Sequence, residues 1–132
     1  MSSPIVMGKS YAFALRIVRL TRYLAEEKRE YVLGKQLLRS GTAIGALIRE
    51  AEYAESTPDF IHKRHIALKE ANETDYWLSL LKDSGYISDN AYQSMKRDID
   101  EIISLLVSSL KTMKEKLKKE KEGNRDEGIG KK

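Results

Sequence analysis

Apolar residues recur along this chain at alternating spacings of four and three, the period of a helix face rather than of a strand. The pattern is densest where Leu33, Leu37, Ser40, Ile44, Leu47, Ala51 and Ala54 share one side, and it predicts a helix over residues 32–55. The same stretch carries Gly34, Gly41 and Gly45. Each glycine inside a helix costs roughly 1 kcal/mol relative to alanine. Their regular placing makes a second stripe of small residues, which admits another backbone at close range. This helix is therefore central, with neighbours on more than one side. Ser40 and Glu50 fall on or near the packed face, where a polar group needs a partner. Both are expected to be buried and paired.

Three further helices frame it. The first is expected over residues 10–28, with Ser10 as N-cap. Phe13, Ile17, Leu20 and Leu24 form its seam, and Ala14, Val18, Thr21 and Ala25 widen the apolar side. Residues 26–31 break the period and hold a turn. Ser56-Thr57-Pro58-Asp59 opens the third helix: Thr57 can cap, Pro58 suits the first helical position, and Asp59 complements the positive helix end. Its seam is Phe60, Arg64, Ala67, Ala71, Thr74, Leu78 and Leu81, ending near Asp83. Glu70, Asn72, Glu73 and Asp75 crowd beside small core residues, which suggests a hydrogen-bonded layer between helices or subunits.

Gly85 takes the left-handed position that closes this helix. Ser88 caps a fourth over residues 89–118, whose seam runs through Tyr92, Met95, Ile99, Ile102, Leu106, Ser109 and Met113. Beyond Leu117 the pattern dissolves, so residues 119–132 are expected to be a disordered charged tail and residues 1–9 an N-terminal extension. Short connections and no strand signal give an all-α class: an antiparallel up-down-up-down four-helix bundle over residues 10–118.

Composition narrows the setting. A chain of 132 residues, 41% hydrophobic and 33% charged, fits one helical domain. No apolar run reaches the ~18 residues of a membrane span. The first nine residues lack the character of a signal peptide, and there are no cysteines, so a cytoplasmic setting is expected. The net charge of +4 is unevenly laid out. Residues 1–49 hold nine Lys/Arg against three acids, residues 50–110 six against twelve, and residues 111–132 nine against five. Arg16, Arg19 and Arg22 lie opposite the first seam, and Lys35 and Arg39 are neighbours on the second helix. Such a face pairs with acids elsewhere in the chain, serves self-assembly, or meets the phosphates of RNA or DNA, to which arginine's fork is suited.

Catalytic chemistry is not visible. A di-metal bundle site needs Glu-x-x-His on two helices, whereas His62 and His65 are the only histidines and share one helix. No phosphate loop, nucleophile elbow or zinc spacing occurs. No metal, cofactor or enzymatic activity is expected.

Gln36-Leu37-Leu38-Arg39-Ser40-Gly41-Thr42-Ala43-Ile44-Gly45, followed by Arg49-Glu50-Ala51, resembles the Q-L-x-R-S-x-x-S-I-x-x-N-I-x-E-G signature of the bacterial four helix bundle protein family. That family includes proteins encoded in intervening sequences of 23S ribosomal RNA genes. Asp59-Phe60 and residues 66–74 resemble its third-helix motif. Ala43, Leu47 and Ala51 depart from it, standing where the commoner pattern has Ser, Asn and Gly. The resemblance implies a homo-oligomer, expected to be a pentamer. It also implies kinship with the accessory variability determinant of diversity-generating retroelements, a basic pentamer that works with a reverse transcriptase and binds nucleic acid. By that analogy Ser40, Glu50, Glu70 and Glu73 are architectural.

Overall fold

The computed structural model describes the backbone of residues 4–130 and the side chains of residues 5–123. It contains helices α1 (Pro4–Lys28), α2 (Val32–Ala51), α3 (Thr57–Asp83) and α4 (Asp89–Gly130), and no strand among the described residues. Sequence neighbours pack side by side, α1 on α2, α2 on α3 and α3 on α4, while α1 and α4 touch least and the diagonal backbones stay apart. The all-α, antiparallel four-helix bundle expected from the sequence is what forms. Its core is the set of inward seams: Phe13, Ile17 and Leu24 of α1, Leu37, Ile44 and Ile48 of α2, Ala67, Ala71 and Leu78 of α3, and Ile99, Ile102 and Leu106 of α4.

The N-terminal boundary differs from expectation. α1 begins at Pro4, so residues 4–9 of the expected extension are helix, while residues 1–3 lie outside the description. Ser10 is no cap: it is buried within the helix, and its hydroxyl donates to the Met7 carbonyl at 3.0 Å. Val6, also buried, carries the inward seam one turn further back. Burying that side chain offsets the cost of Gly8 in the helix.

The first turn has a left-handed residue, Arg29 at φ 51°, after which the Glu30 amide donates back to the Leu24 carbonyl at 2.9 Å. This bond reaches one residue further back than in a Schellman ending, and arginine stands in the left-handed position where glycine is usual. The Glu30 carboxylate then accepts from the Leu33 amide at 2.8 Å and the Val32 amide at 3.1 Å, opening α2.

α2 stops at Ala51, four residues short of expectation. The amides of Glu52, Tyr53 and Ala54 bond three residues back, which tightens and ends the coil. Ser56, rather than Thr57, is the α3 cap, its hydroxyl accepting from the Asp59 amide at 3.2 Å; Asp59 in turn accepts from the Glu55 amide. Gly85 at φ 85° ends α3, and Ser88 caps α4 by accepting from the Ala91 amide. Past Lys118 the helix leaves the core. Residues 119–123 continue α4 with exposed side chains, and the rest of the expected disordered tail lies outside the described side chains.

Two of the three α2 glycines explain how closely α1 approaches. A Cβ on Gly41 would meet three atoms of the buried Ile17 side chain at 2.7–2.9 Å, and one on Gly45 would meet the Ser10 backbone at 3.4 Å. Gly34 faces Leu24 with ordinary spacing. Gly8 points into open space. Gly41→Ala is therefore expected to destabilise by about 1–3 kcal/mol through overpacking, whereas Gly8→Ala stabilises by up to about 1 kcal/mol. Paired thermal melts of the two variants check both signs.

Candidate nucleic-acid interface

The five expected phosphate-contacting residues separate into two groups. Arg16 is tied to α4: its guanidinium donates to Asp98 at 2.5 Å and to the Ser94 hydroxyl at 2.8 Å. Arg39 is tied to α3, donating to Glu70 at 3.1 Å and to Glu73 through its other terminal nitrogen. Much of their charge is already answered within the chain. Arg19, Arg22 and Lys35 are exposed and have no ion pair among the described residues. Arg22 and Lys35 come together at one end of the α1–α2 face. At the opposite end of the bundle α4 carries exposed Lys111, Lys114, Lys118 and Lys121, whose three-four-three spacing lines them along one side.

Part of the segregated charge seen in the sequence is answered by cross-helix pairing. Lys9 meets Glu101 at 2.8 Å, a second bond from basic α1 to an acid of α4. Lys96 of α4 sits between Asp100 and Asp75 of α3, both at 3.0 Å, and these two carboxylates push its ammonium up to about 12.

A polar layer lies between α2 and α3, but its buried members are Ser40 and Thr74; of the four residues expected to form it, Asn72 is exposed and Asp75 pairs with Lys96 of α4. Ser40 and Thr74 are fully buried and hydrogen-bonded to each other at 2.9 Å, and Thr74 also reaches the Glu70 carbonyl at 2.7 Å. Glu70 and Glu73 stand just outside, half-buried, bridged by Arg39. Glu73 also accepts from the Trp77 indole at 3.3 Å. The Arg39 hydrogen bond is the main cause that holds Glu73 below the ordinary carboxylate range, and the same bond raises Arg39. Glu50 departs from expectation. It is exposed, because α2 turns Ile48 and Ala51 to the core and leaves residues 49 and 50 outside.

The sequence missed two features, the partners of Arg64 and an outer groove. Arg64, already expected on the inward seam, is fully buried, with one nitrogen donating to the Ser109 hydroxyl at 2.9 Å and its carbon 4.8 Å from the Phe60 ring centre. Burial lowers its pKa and Glu52 opposes that shift. The second feature is a groove between α1 and α2. Met7, Tyr11, Ala14, Val18, Thr21 and Ala25 form a heptad-spaced row one residue out of phase with the inward seam. Four of these residues were expected to widen the core face. They line instead two outer hollows of about 490 and 320 Å³, floored from α2 by Gly34, Gly45 and Ala46. The 4-3 spacing of this row was the signal available in the sequence. Among the described residues, no three metal-ligating side chains converge, and no helix is long and apolar enough to cross a membrane.

The class so defined is a small antiparallel helical bundle with free cations at both ends and an apolar outer groove. The chain belongs to the 23S rRNA-intervening sequence protein family, whose model matches residues 3–108. Among solved structures it is similar to a protein of unknown function from the S23 ribosomal protein family of Bacteroides thetaiotaomicron VPI-5482. The two are 55% identical with a TM-score of 0.80, over 81% of this chain and 96% of that one. No curated protein matches the chain.

Arg39→Gln is expected to cost up to about 1 kcal/mol at neutral pH, a small value because Arg39 and Glu73 are 49% and 36% exposed. A depressed carboxylate stabilises above its unfolded pKa, ordinarily 4.5 for Glu73, and that contribution is lost as pH falls through the lower folded value. The gap between variant and parent in urea melts should therefore close on acidification below about pH 4.5 and shrink in high salt.

Proposed function

We propose that this protein is a non-enzymatic, homo-oligomeric helical scaffold that binds nucleic acid, RNA or DNA, through the cations its own acids leave unpaired. Five copies are the expected stoichiometry from the family resemblance. A reverse transcriptase or another nucleic-acid enzyme is the expected working partner. The observation that carries the reading is the division just described. Arg16 and Arg39 serve the fold, while Arg19, Arg22 and Lys35 are exposed without an ion pair among the described residues, as are Lys111, Lys114, Lys118 and Lys121 towards the far end of α4. The family's name supports the same direction, since its members are tied to insertions in ribosomal RNA genes.

Binding of this kind releases counterions, so its logarithm falls with the logarithm of salt by roughly 0.7–0.9 per phosphate contact. A triple Arg19→Gln, Arg22→Gln, Lys35→Gln variant is expected to flatten the slope by about 2–3 without changing the melting temperature. Arg16→Gln should lower the melting temperature and leave the slope alone. An unchanged slope in the triple variant would remove these residues from the site. Absence of wild-type binding to RNA and DNA at low salt would sink the reading. The alternative, an assembly module with no nucleic-acid role, draws on the apolar α1–α2 groove.

A further inference from the structure

We infer that the cations around the α1–α2 turn take a nucleic acid as a single strand, with one unpaired base stacked on the Tyr31 ring. The inference rests on the nucleic-acid part of the proposed function and names the form of its ligand.

The tyrosines of this chain divide into two sets. Tyr92 shares a hydrogen bond with the Ser79 hydroxyl at 3.1 Å and lies beneath the Lys82 ammonium. Tyr86 packs against the core, and Tyr76 meets the Trp77 ring edge-on at 5.1 Å. These rings have uses within the fold. The Tyr31 side chain has no hydrogen bond or ring contact among the described residues, and it is 60% exposed. It stands at the N-cap of α2 without making a capping bond. Glu30 caps instead, its carboxylate accepting from the Val32 and Leu33 amides. Tyr31 is therefore a large ring on an ordered turn that the fold does not use.

The neighbours of Tyr31 suit a nucleotide. The ring lines the smaller outer hollow, of about 320 Å³, together with Arg22 and Lys35. Val18, Ala25 and Leu38 give that hollow an apolar floor. A nucleotide has the same division, a flat base joined to a charged phosphate. Arg22 and Lys35 answer the phosphate, while the ring and the floor take the face of the base. Glu30 also lines the hollow, but its carboxylate is held by two amides at the positive end of α2. Lys28 and Arg29 are exposed on the same turn without ion pairs among the described residues, and they attract the flanking phosphates. Arg19 likewise has an exposed ring beside it, Tyr23, one helical turn further along α1.

Stacking selects the strand form. Each base of a duplex is covered above and below by its neighbours, so its faces are closed to a tyrosine. An unpaired base can be splayed out onto the ring. Phosphate contacts alone make no such distinction.

The test compares two rings of equal exposure. Tyr76 is 59% exposed but follows Asp75 and lies one turn from Glu73, where phosphates are repelled. Anisotropy of a labelled oligouridylate, an oligothymidylate and a duplex of equal length, all at one low salt concentration, reads the binding. Tyr31→Ala is expected to weaken single-strand binding about 5- to 150-fold, the worth of one base–aromatic stack. Its duplex affinity, salt slope and helical circular dichroism should match the parent. Tyr31→Phe keeps the ring and should bind as the parent does, and so should Tyr76→Ala. A loss confined to the RNA or to the DNA strand supports the inference and assigns the site to that sugar. A parent that binds none of the three ligands defeats the proposed function itself. A binding parent whose Tyr31→Ala variant loses nothing on either single strand, or loses as much on the duplex, overturns the stacking assignment and leaves that function standing.

Discussion

The closeness of α1 to α2 governs the rest of the bundle. Gly41 leaves room for Ile17 and for nothing larger than hydrogen beside it, while Gly45 lets the Ser10 backbone lie against α2. Helices meeting through such positions sit at the short end of the usual 8–10 Å separation. Burying Ser10 is possible because its hydroxyl is satisfied by Met7 inside the same helix. The glycines cost helix propensity and gain contact, so α2 is stabilised by its surroundings more than by its own sequence. Because the two helices sit so close, the row beginning at Met7 flanks the contact from outside and forms a groove wall.

The polar interactions follow the same economy. Lys9 and Arg16 of basic α1 meet Glu101 and Asp98 of α4, and Arg39 of α2 reaches two glutamates of α3. Of the nine cations in residues 1–49, this cross-helix pairing answers three, Lys9, Arg16 and Arg39. A functional reading built on gross charge would place the site along the whole of α1. Subtracting the internal pairs removes Arg16 and Arg39 from the expected contacts and leaves Arg19, Arg22 and Lys35. Surface pairs of this kind add little stability individually. Their larger effect is to fix which helix neighbours which, since reversed pairings would set like charges together.

Much of this was legible in the sequence because it is local. Helix periods, the Gly85 ending, the Ser88 cap and the burial of Ser40 all depend on residues near one another or on small polar groups amid apolar ones. Interactions between distant segments were less legible. Arg16 finds its partners 78 and 82 residues away, and no spacing rule announces that. Ser10 resembles a cap by type and is a buried helix residue by context. The end of α2 was misplaced because Ala54 continues the apolar spacing while three tightened hydrogen bonds had already ended the helix. Glu50 was assigned to the wrong side through a similar ambiguity: the face rotates by a residue once Ile48, not Leu47, points fully inward.

The seam between α1 and α4 gives the bundle a direction in which to open. Each other neighbouring pair is joined by a short loop and broad packing, whereas α1 and α4 are the chain's first and last helices and share the least contact. Two ion pairs span that seam, Lys9 with Glu101 and Arg16 with Asp98. Local opening begins where packing is thinnest, so α1 and α4 part before the central α2–α3 pair does. Amide exchange would then be fastest along this edge. In folding, the sequence of adjacent hairpins keeps most contacts local and the search short, and closing this one long-range seam completes the core.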